Sequence, residues 1–270
     1  MQGRVLIIAG SDSGGGAGIQ ADIKTVTALG GFAMTALSAL TAQNTQGVTA
    51  IHEVPTDFIA EQMRVVLGDL GADAVKTGML HSSAVIDTVS QILKTCDAPI
   101  VVDPVMVAKG GATLLQQEAV VAMKSQLIPM AHVLTPNVPE AEALTGTTIV
   151  DRKTAEYAAR VLSNMGPKSV LMKGGHMTGG AEIDTVTDLL FEDGQLVETF
   201  TSPRLDTRHT HGTGCTLASA ISIGLAQEMS IRDSVERARA YVWQAINTAP
   251  GYGQGHGPLN HGHTFQGPSH

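Results

Sequence analysis

Short apolar runs alternate with longer segments whose apolar residues recur at helical spacing. Arg4 to Ala9 is a compact apolar run that ends at Gly10, the pattern of a buried strand. Ala17 to Leu29 then carries Ile19, Ile23, Val26 and Leu29 along one helical stripe and stops at Gly30-Gly31. Met34 to Thr41 predicts the next strand. Pro55-Thr56-Asp57 introduces a helix to about Leu70, with Asp57 in the capping position. Ala74 to Thr77, Ile100 to Val102, His132 to Thr135 and Ser169 to Lys173 predict further strands, with helical segments such as Ser82 to Thr95 between them. Helices of roughly ten to fifteen residues between short apolar strands predict a parallel sheet covered on both faces. Between Asp184 and Thr201 two alternating runs flank Glu192-Asp193-Gly194, which predicts an antiparallel hairpin at the sheet edge. Helices from Thr216 and Ile231 close the chain.

Neither an internal repeat nor a linker-like stretch interrupts this pattern, so residues 1–270 are expected to form one domain. After about residue 250 the chain becomes rich in glycine and histidine, with little to bury, and a loosely held tail is expected there. A hydrophobic content of 43% over 270 residues suits a sizeable core. Net charge of -8 and a pI near 5.6 argue against a general nucleic-acid binder, while leaving room for a local basic pocket. Cys96 and Cys215 supply neither a disulfide framework nor a zinc ligand set, and favour a reducing, cytoplasmic setting. Met1 to Ala9 lacks the long apolar centre of a signal peptide, and no apolar run approaches a membrane span.

The chemistry gathers where the strands end. In open α/β sheets ligands sit beyond the carboxyl ends of the strands. Those ends carry Gly10-Ser11-Asp12, Gln43-Asn44, Lys76-Thr77-Gly78-Met79, Asp103-Pro104, Thr135-Pro136-Asn137 and Lys173-Gly174-Gly175. One such cluster is ordinary turn chemistry; six along one edge point to an active site. Late in the chain Thr210-His211-Gly212-Thr213-Gly214-Cys215-Thr216 feeds an alanine-rich helical segment. Helix starts offer unpaired N–H groups and partial positive charge, so the segment is suited to phosphate oxygens, and a thiol there is expected to have a depressed pKa. A tight turn with a small packing residue is the plain alternative.

The early loop from Gly10 to Gly18 is neither of the familiar nucleotide loops. A dinucleotide fingerprint through Gly14 and Gly16 would need glycine at Ile19, and no Gly-Lys pair exists for a Walker loop. It is expected to wall a substrate pocket or simply to connect. Asn137 and Glu140 could hold a hydrated Mg²⁺ together with Asp103, or could serve as a capping box. The pairs His209/His211 and His261/His263 lack further ligands at zinc spacing.

Seven stretches in order, GSDSGGGAGIQADIKT, TAQNTQGV, KTGML, DPVM, TPNVPEAEAL, LMKGGH and HTHGTGCTLASA, make the chain resemble the hydroxymethylpyrimidine/phosphomethylpyrimidine kinases of the ribokinase-like superfamily, from residue 4 to about 260. The resemblance implies a three-layer α/β/α sandwich with a mostly parallel central sheet, and a homodimer. It implies ATP- and Mg²⁺-dependent phosphorylation of 4-amino-5-hydroxymethyl-2-methylpyrimidine, first to the monophosphate and then to the diphosphate, for thiamine biosynthesis. Gly10, Ala17, Asp22, Gln43, Met79 and Val105 would line the pyrimidine pocket. Gly212, Thr213 and Gly214 would form an anion hole with Cys215 as catalytic base, Lys173 would meet nucleotide phosphate, and Asn137, Glu140 and Asp103 would position Mg²⁺. Many sugar kinases of the superfamily have aspartate where this chain has Cys215. A cysteine-bearing pyridoxal kinase is the competing reading, and a non-catalytic vitamin-binding module is the reading from another class.

Overall fold

A computed structural model describes residues 1–106, 114–115, 117–175 and 184–265. Its centre is a nine-stranded sheet in the order β3-β2-β1-β4-β5-β6-β7-β8-β9. The strands are β1 (Arg4–Asp12), β2 (Phe32–Asn44), β3 (Gly47–Glu53), β4 (Ala74–Thr77), β5 (Ile100–Val102), β6 (Val133–Leu134), β7 (Ser169–Met172), β8 (Thr185–Glu192) and β9 (Gln195–Pro203). From β2 to β7 neighbours run parallel; β3 and the β8–β9 hairpin run antiparallel at the two edges. This is the α/β architecture expected, with one antiparallel strand more than the pattern predicted. β3 is an edge strand with no fully buried residue, so its sequence carries no core-facing alternation to read.

Side-chain alternation explains the layering. In β1, Leu6 and Ile8 point into one core, while Val5, Ile7 and Ala9 point into another on the opposite face. The first core is closed by α2 (Thr56–Asp69), α3 (Ser83–Leu93), α4 (Gln117–Ala122), α5 (Val138–Thr145) and α6 (Arg152–Ser163). The other face is covered by α1 (Gly18–Ala28), α7 (Thr213–Ala226) and α8 (Ile231–Asn247). Strands buried on both faces read as short, mostly apolar runs, which makes β5 and β7 legible; β4 departs from this by carrying buried Lys76 and Thr77. Among the described residues no helix is long and apolar enough to cross a membrane.

Three expectations are corrected. α2 begins at Thr56 after Pro55, so Asp57 lies within the first turn and caps nothing; its carboxylate accepts from the next N–H, that of Phe58. α7 begins at Thr213, three residues before the start expected. The segment after residue 250 is held in place as far as 265. Leu259 and His261 are buried, the Tyr241 hydroxyl donates to the His261 carbonyl at 2.6 Å, and Asn260 N–H donates to Ala245 O at 2.9 Å.

After β1 the chain moves to one side for β2 and β3, then returns to lay β4 on the other side. That reversal opens a crevice between the carboxyl ends of β1 and β4. Under it lies Lys76, a fully buried charged side chain. Its ammonium sits 2.9 and 3.0 Å from the two carboxylate oxygens of Asp22, which also accepts from Ser219 at 2.7 Å. The pair ties α1, β4 and α7 together. Breaking a buried pair strands an uncompensated charge, which costs about 3–5 kcal/mol, whereas replacing both partners by apolar groups is often close to neutral. Urea unfolding of Lys76→Met is therefore expected to show a loss of that order, much of it recovered in Lys76→Met/Asp22→Leu. Equal losses in the single and double variants would contradict this account of the pair.

Candidate active site

A cavity of about 460 Å³ occupies the crevice. The first glycine loop forms one wall. Asp12, at the end of β1, accepts on its carboxylate from the N–H groups of Gly14 (2.8 Å), Gly16 (3.0 Å) and Ala17 (2.8 Å), while its backbone carbonyl accepts from Gly15 N–H at 2.9 Å, so one residue gathers four donors of the turn. His211 Nε2 approaches the same carboxylate at 2.8 Å and joins the first loop to the second. Burial works against ionisation of Asp12, but the hydrogen bonds from His211 and from the Ala17 and Gly14 backbone outweigh it and hold its carboxyl below the usual range.

The second loop starts α7. Gly212 adopts φ +84°, and a Cβ there would lie 1.9 Å from Gly16 O, so only glycine allows the two loops to touch. A Cβ on Gly214 would stand 3.5 Å from Lys173 Nζ and 3.6 Å from Asp103 Oδ2, which locates the helix start directly beside that cation and its counterion. Thr213 N–H reaches Thr210 O only at 3.4 Å, a weak use of a donor at a helix N-terminus.

Lys173 follows β7 and lies 3.2 Å from Asp103 Oδ1 and 3.8 Å from Glu140 Oε2. Asn137 and Glu140 do form the capping box of α5: Glu140 N–H donates to Asn137 Oδ1 at 2.9 Å and Asn137 N–H to Glu140 Oε2 at 2.8 Å. The capping reading is borne out, and Asn137 and Glu140 also line the cavity. Burial pushes the Glu140 carboxyl up to about 7; Lys173 opposes this, and the nearby charge of Asp103 adds to it. Two buried acids that repel one another beside a single ammonium are chemically suited to a divalent cation. Among the described residues no three His, Cys, Asp or Glu side chains gather into a cage. That fits Mg²⁺, which needs only one or two carboxylates when phosphates and water complete its shell.

Gly10, Ala17, Gln43, Met79 and Val105 all line the cavity. A Cβ on Gly10 would lie 2.4 Å from Met79 Cε, so the methionine packs flat over bare backbone. His211 Nε2 carries its proton toward Asp12, so the 3.4 Å approach of Gln43 Nε2 to that nitrogen is not a hydrogen bond. The Gln43 amide N–H groups are left to face the cavity. Asp22 is different: it is fully buried beneath the floor and serves as counterion to Lys76. Its place as a pocket-lining residue is corrected to a supporting one, and Lys76 lines the cavity instead.

Cys215 lies in the first turn of α7 and lines the cavity, as expected, but its thiol is not acidified. Burial raises its pKa to about 12; Lys76 pulls it down, and Asp22 and Asp103 push it up. Desolvation outweighs the helix start here.

Asp12, Lys76 and His211 were not assigned these roles from sequence. An acid ahead of three glycines, and a lone lysine inside a four-residue buried strand, were the available signals. His176, in the LMKGGH stretch, lies outside the described residues.

A second cavity of about 270 Å³ shares Asn137, Lys173, Thr210, Thr213 and Gly214 with the first. Its far wall carries Leu205, Val242, Trp243 and Ile246, with Arg239 paired to Asp188. Two chambers meeting at one lysine and one helix start define a phosphotransferase acting on small molecules. The chain belongs to the phosphomethylpyrimidine kinase family, which it matches over residues 12–260. It is 47% identical to the hydroxymethylpyrimidine/phosphomethylpyrimidine kinase of Streptomyces coelicolor, covering 96% of this chain and 94% of that one. It is 50% identical to the thiamine biosynthesis bifunctional protein ThiED of Geobacter sulfurreducens across 96% of this chain, but spans only 52% of that protein. Among solved structures, Staphylococcus aureus pyridoxal kinase in complex with ADP superposes with a TM-score of 0.87 at 34% identity, covering 97% of this chain and 94% of that one.

The raised thiol pKa has a direct readout. An acid with pKa about 12 is almost wholly protonated at neutral pH, and its thiolate fraction grows tenfold per pH unit throughout the working range. Alkylation of Cys215 by iodoacetamide in the free protein, followed by peptide mass spectrometry, is expected to accelerate from pH 7 to pH 9.5 without levelling. A plateau near pH 7 would show an acidified thiol and contradict the dominance of burial.

Proposed function

We infer that the chain phosphorylates 4-amino-5-hydroxymethyl-2-methylpyrimidine with MgATP, first on the hydroxymethyl oxygen and then on the phosphate so formed, in thiamine biosynthesis. The observation that carries this reading is the meeting of the two cavities at Lys173 and the start of α7. One chamber, with Met79 over Gly10 and the Gln43 amide N–H groups at its wall while Gln43 Oε1 accepts from the Thr41 hydroxyl at 3.0 Å, suits a flat aminopyrimidine, whose ring nitrogen can accept from that amide. The other, walled by Trp243, Val242 and Ile246, suits a nucleotide base. A single kinase domain carries the reaction. The homodimer rests on the family resemblance, and the cytoplasmic setting on the two cysteines.

Phosphoryl transfer is mostly positioning and charge neutralisation. Lys173 would neutralise the transferring phosphate while Asp103 and Glu140 keep the ammonium in place. Backbone N–H groups of Thr213, Gly214 and Cys215 would receive the equatorial oxygens. Asp103 and Glu140, the latter oriented by Asn137, would hold Mg²⁺, which supplies further neutralisation of phosphate charge. Cys215 would take the alcohol proton. Its thiolate is scarce at neutral pH but correspondingly basic, and Lys76 is placed to favour the charged form.

Pyridoxal phosphorylation is the second reading, favoured by the close superposition on the S. aureus pyridoxal kinase. ATP-dependent product formation from the pyrimidine alcohol, its monophosphate and pyridoxal separates them. The alcohol and the monophosphate are expected to be turned over and pyridoxal to be the poorest acceptor; the reverse order would overturn the assignment. A phosphate monoester, with a second pKa near about 6, needs no base at neutral pH, whereas an alcohol does. Cys215→Ala is therefore expected to slow the first step at least about tenfold more than the second. Equal losses would leave Cys215 as packing only.

A further inference from the structure

The glycine- and histidine-rich segment near the C-terminus is absorbed by neither cavity, yet it touches both glycine loops. His211 N–H donates to Gly257 O at 3.1 Å, and His211 and Pro258 form an isolated parallel bridge. A Cβ on Gly16 would lie 3.1 Å from Pro258 Cβ, so the proline ring also closes on the first loop. Three residues on, buried His261 sets Nε2 2.9 Å from Thr216 Oγ1.

The Thr216 hydroxyl decides what that contact does. It lies 2.8 Å from Gly212 O, and Thr216 N–H reaches the same carbonyl at 2.9 Å. A hydroxyl has one proton. With that proton on Gly212 O, the oxygen accepts from His261, which fixes His261 as the Nε2–H tautomer. Burial lowers the His261 pKa to about 4, with the charges of Lys24 and His263 adding to the effect, so the ring stays neutral at working pH. The Gly212 carbonyl is one end of the Gly212–Thr213 peptide. Because C=O and N–H are antiparallel across a trans peptide, holding the carbonyl along the helix aims Thr213 N–H out of its start, toward the cavity. The segment itself is fixed from behind by Tyr241, whose hydroxyl holds His261 O and whose backbone carbonyl meets His263 Nε2 at 3.1 Å.

We propose that residues 257–261 belong to the phosphoryl-transfer apparatus, with His261 a positioning residue that holds the Gly212–Thr213 peptide in register through Thr216. The proposal rests on the reading of Thr213 to Cys215 as an anion hole. Misaimed donors at a transferring group lower the rate of chemistry more than ground-state binding.

The test uses the full chain with MgATP and both pyrimidine acceptors, reading kcat, KM and thermal midpoint in parallel. His261→Ala is expected to lower kcat about ten- to hundredfold for both acceptors, with acceptor KM within about twofold. His261→Gln, whose amide N–H can stand in for Nε2–H, is expected to restore most of it. Thr216→Val is expected to lower kcat similarly, and the His261→Ala/Thr216→Val double variant to be no slower than either single. If His261→Ala fails to fold, Thr216→Val against Thr216→Ser carries the same comparison, with serine retaining kcat. A folded His261→Ala with wild-type kcat, or additive losses in the double variant, would overturn the proposal. A crystal structure with MgADP and fluoroaluminate separates the underlying reading, because it shows whether the Thr213 to Cys215 N–H groups receive the transferring group. If the fluoroaluminate lies away from those N–H groups, the anion hole fails and the proposal with it. If it is seated on them while His261→Ala keeps wild-type kcat, the positioning role alone fails.

Discussion

The site depends on one buried cation. Lys173 is nearly enclosed and has Asp103 and Glu140 for company. An ammonium out of water must be paired, and the pairing must come from elements fixed independently of one another. Here Asp103 ends β5, Glu140 sits in the first turn of α5 after β6, and Lys173 follows β7. Three adjacent parallel strands therefore deliver three charges to one point. The arrangement is asymmetric: one ammonium faces two carboxyls, and the second acid resists ionisation, as the raised Glu140 pKa records. Such a site gains from an incoming dication and from phosphate that competes for Lys173. The same alternation extends below the floor, where Asp22 and Lys76 neutralise one another.

The two glycine loops depend on this charge set for their purpose and on each other for their shape. Gly212 can sit against Gly16 O only because it carries no Cβ, the His211 ring closes on Gly16 for the same reason, and Asp12 gathers donors of the first loop while binding His211 of the second. Their contact brings an aromatic-sized chamber and the helix start to the same lysine.

Much of this was legible in the sequence. Strands buried on both faces announce themselves as apolar runs, and their ends carried Gly10, Gln43, Met79, Asp103, Asn137 and Lys173 in order. The antiparallel β8–β9 hairpin was visible in Glu192-Asp193-Gly194. β3 was not, because Val48 and Ile51, which pack on a small apolar cluster, are three residues apart and give no alternation to read. Local rules failed where burial competed with them. A thiol at a helix start suggested acidification, but Cys215 is desolvated, and that effect is larger. Asp22 resembled a pocket residue by motif, yet it lies under the floor because Lys76 needs a partner there. The glycine- and histidine-rich segment looked too polar to pack. Its anchors, Ala245, Tyr241 and Thr216, are distant in sequence and could not be paired with it by inspection.

The central claim is that the phosphoryl group passes between Lys173 and the first turn of α7, with the acceptor beside Gln43 and Met79. A crystal structure of the protein with MgADP, fluoroaluminate and the pyrimidine alcohol measures this directly. The fluoroaluminate is expected within hydrogen-bond distance of Lys173 Nζ and of the Thr213 to Cys215 N–H groups, with the pyrimidine ring against Met79 and adenine near Trp243. Fluoroaluminate seated away from Lys173, or the pyrimidine bound in the Trp243 chamber, would contradict the account.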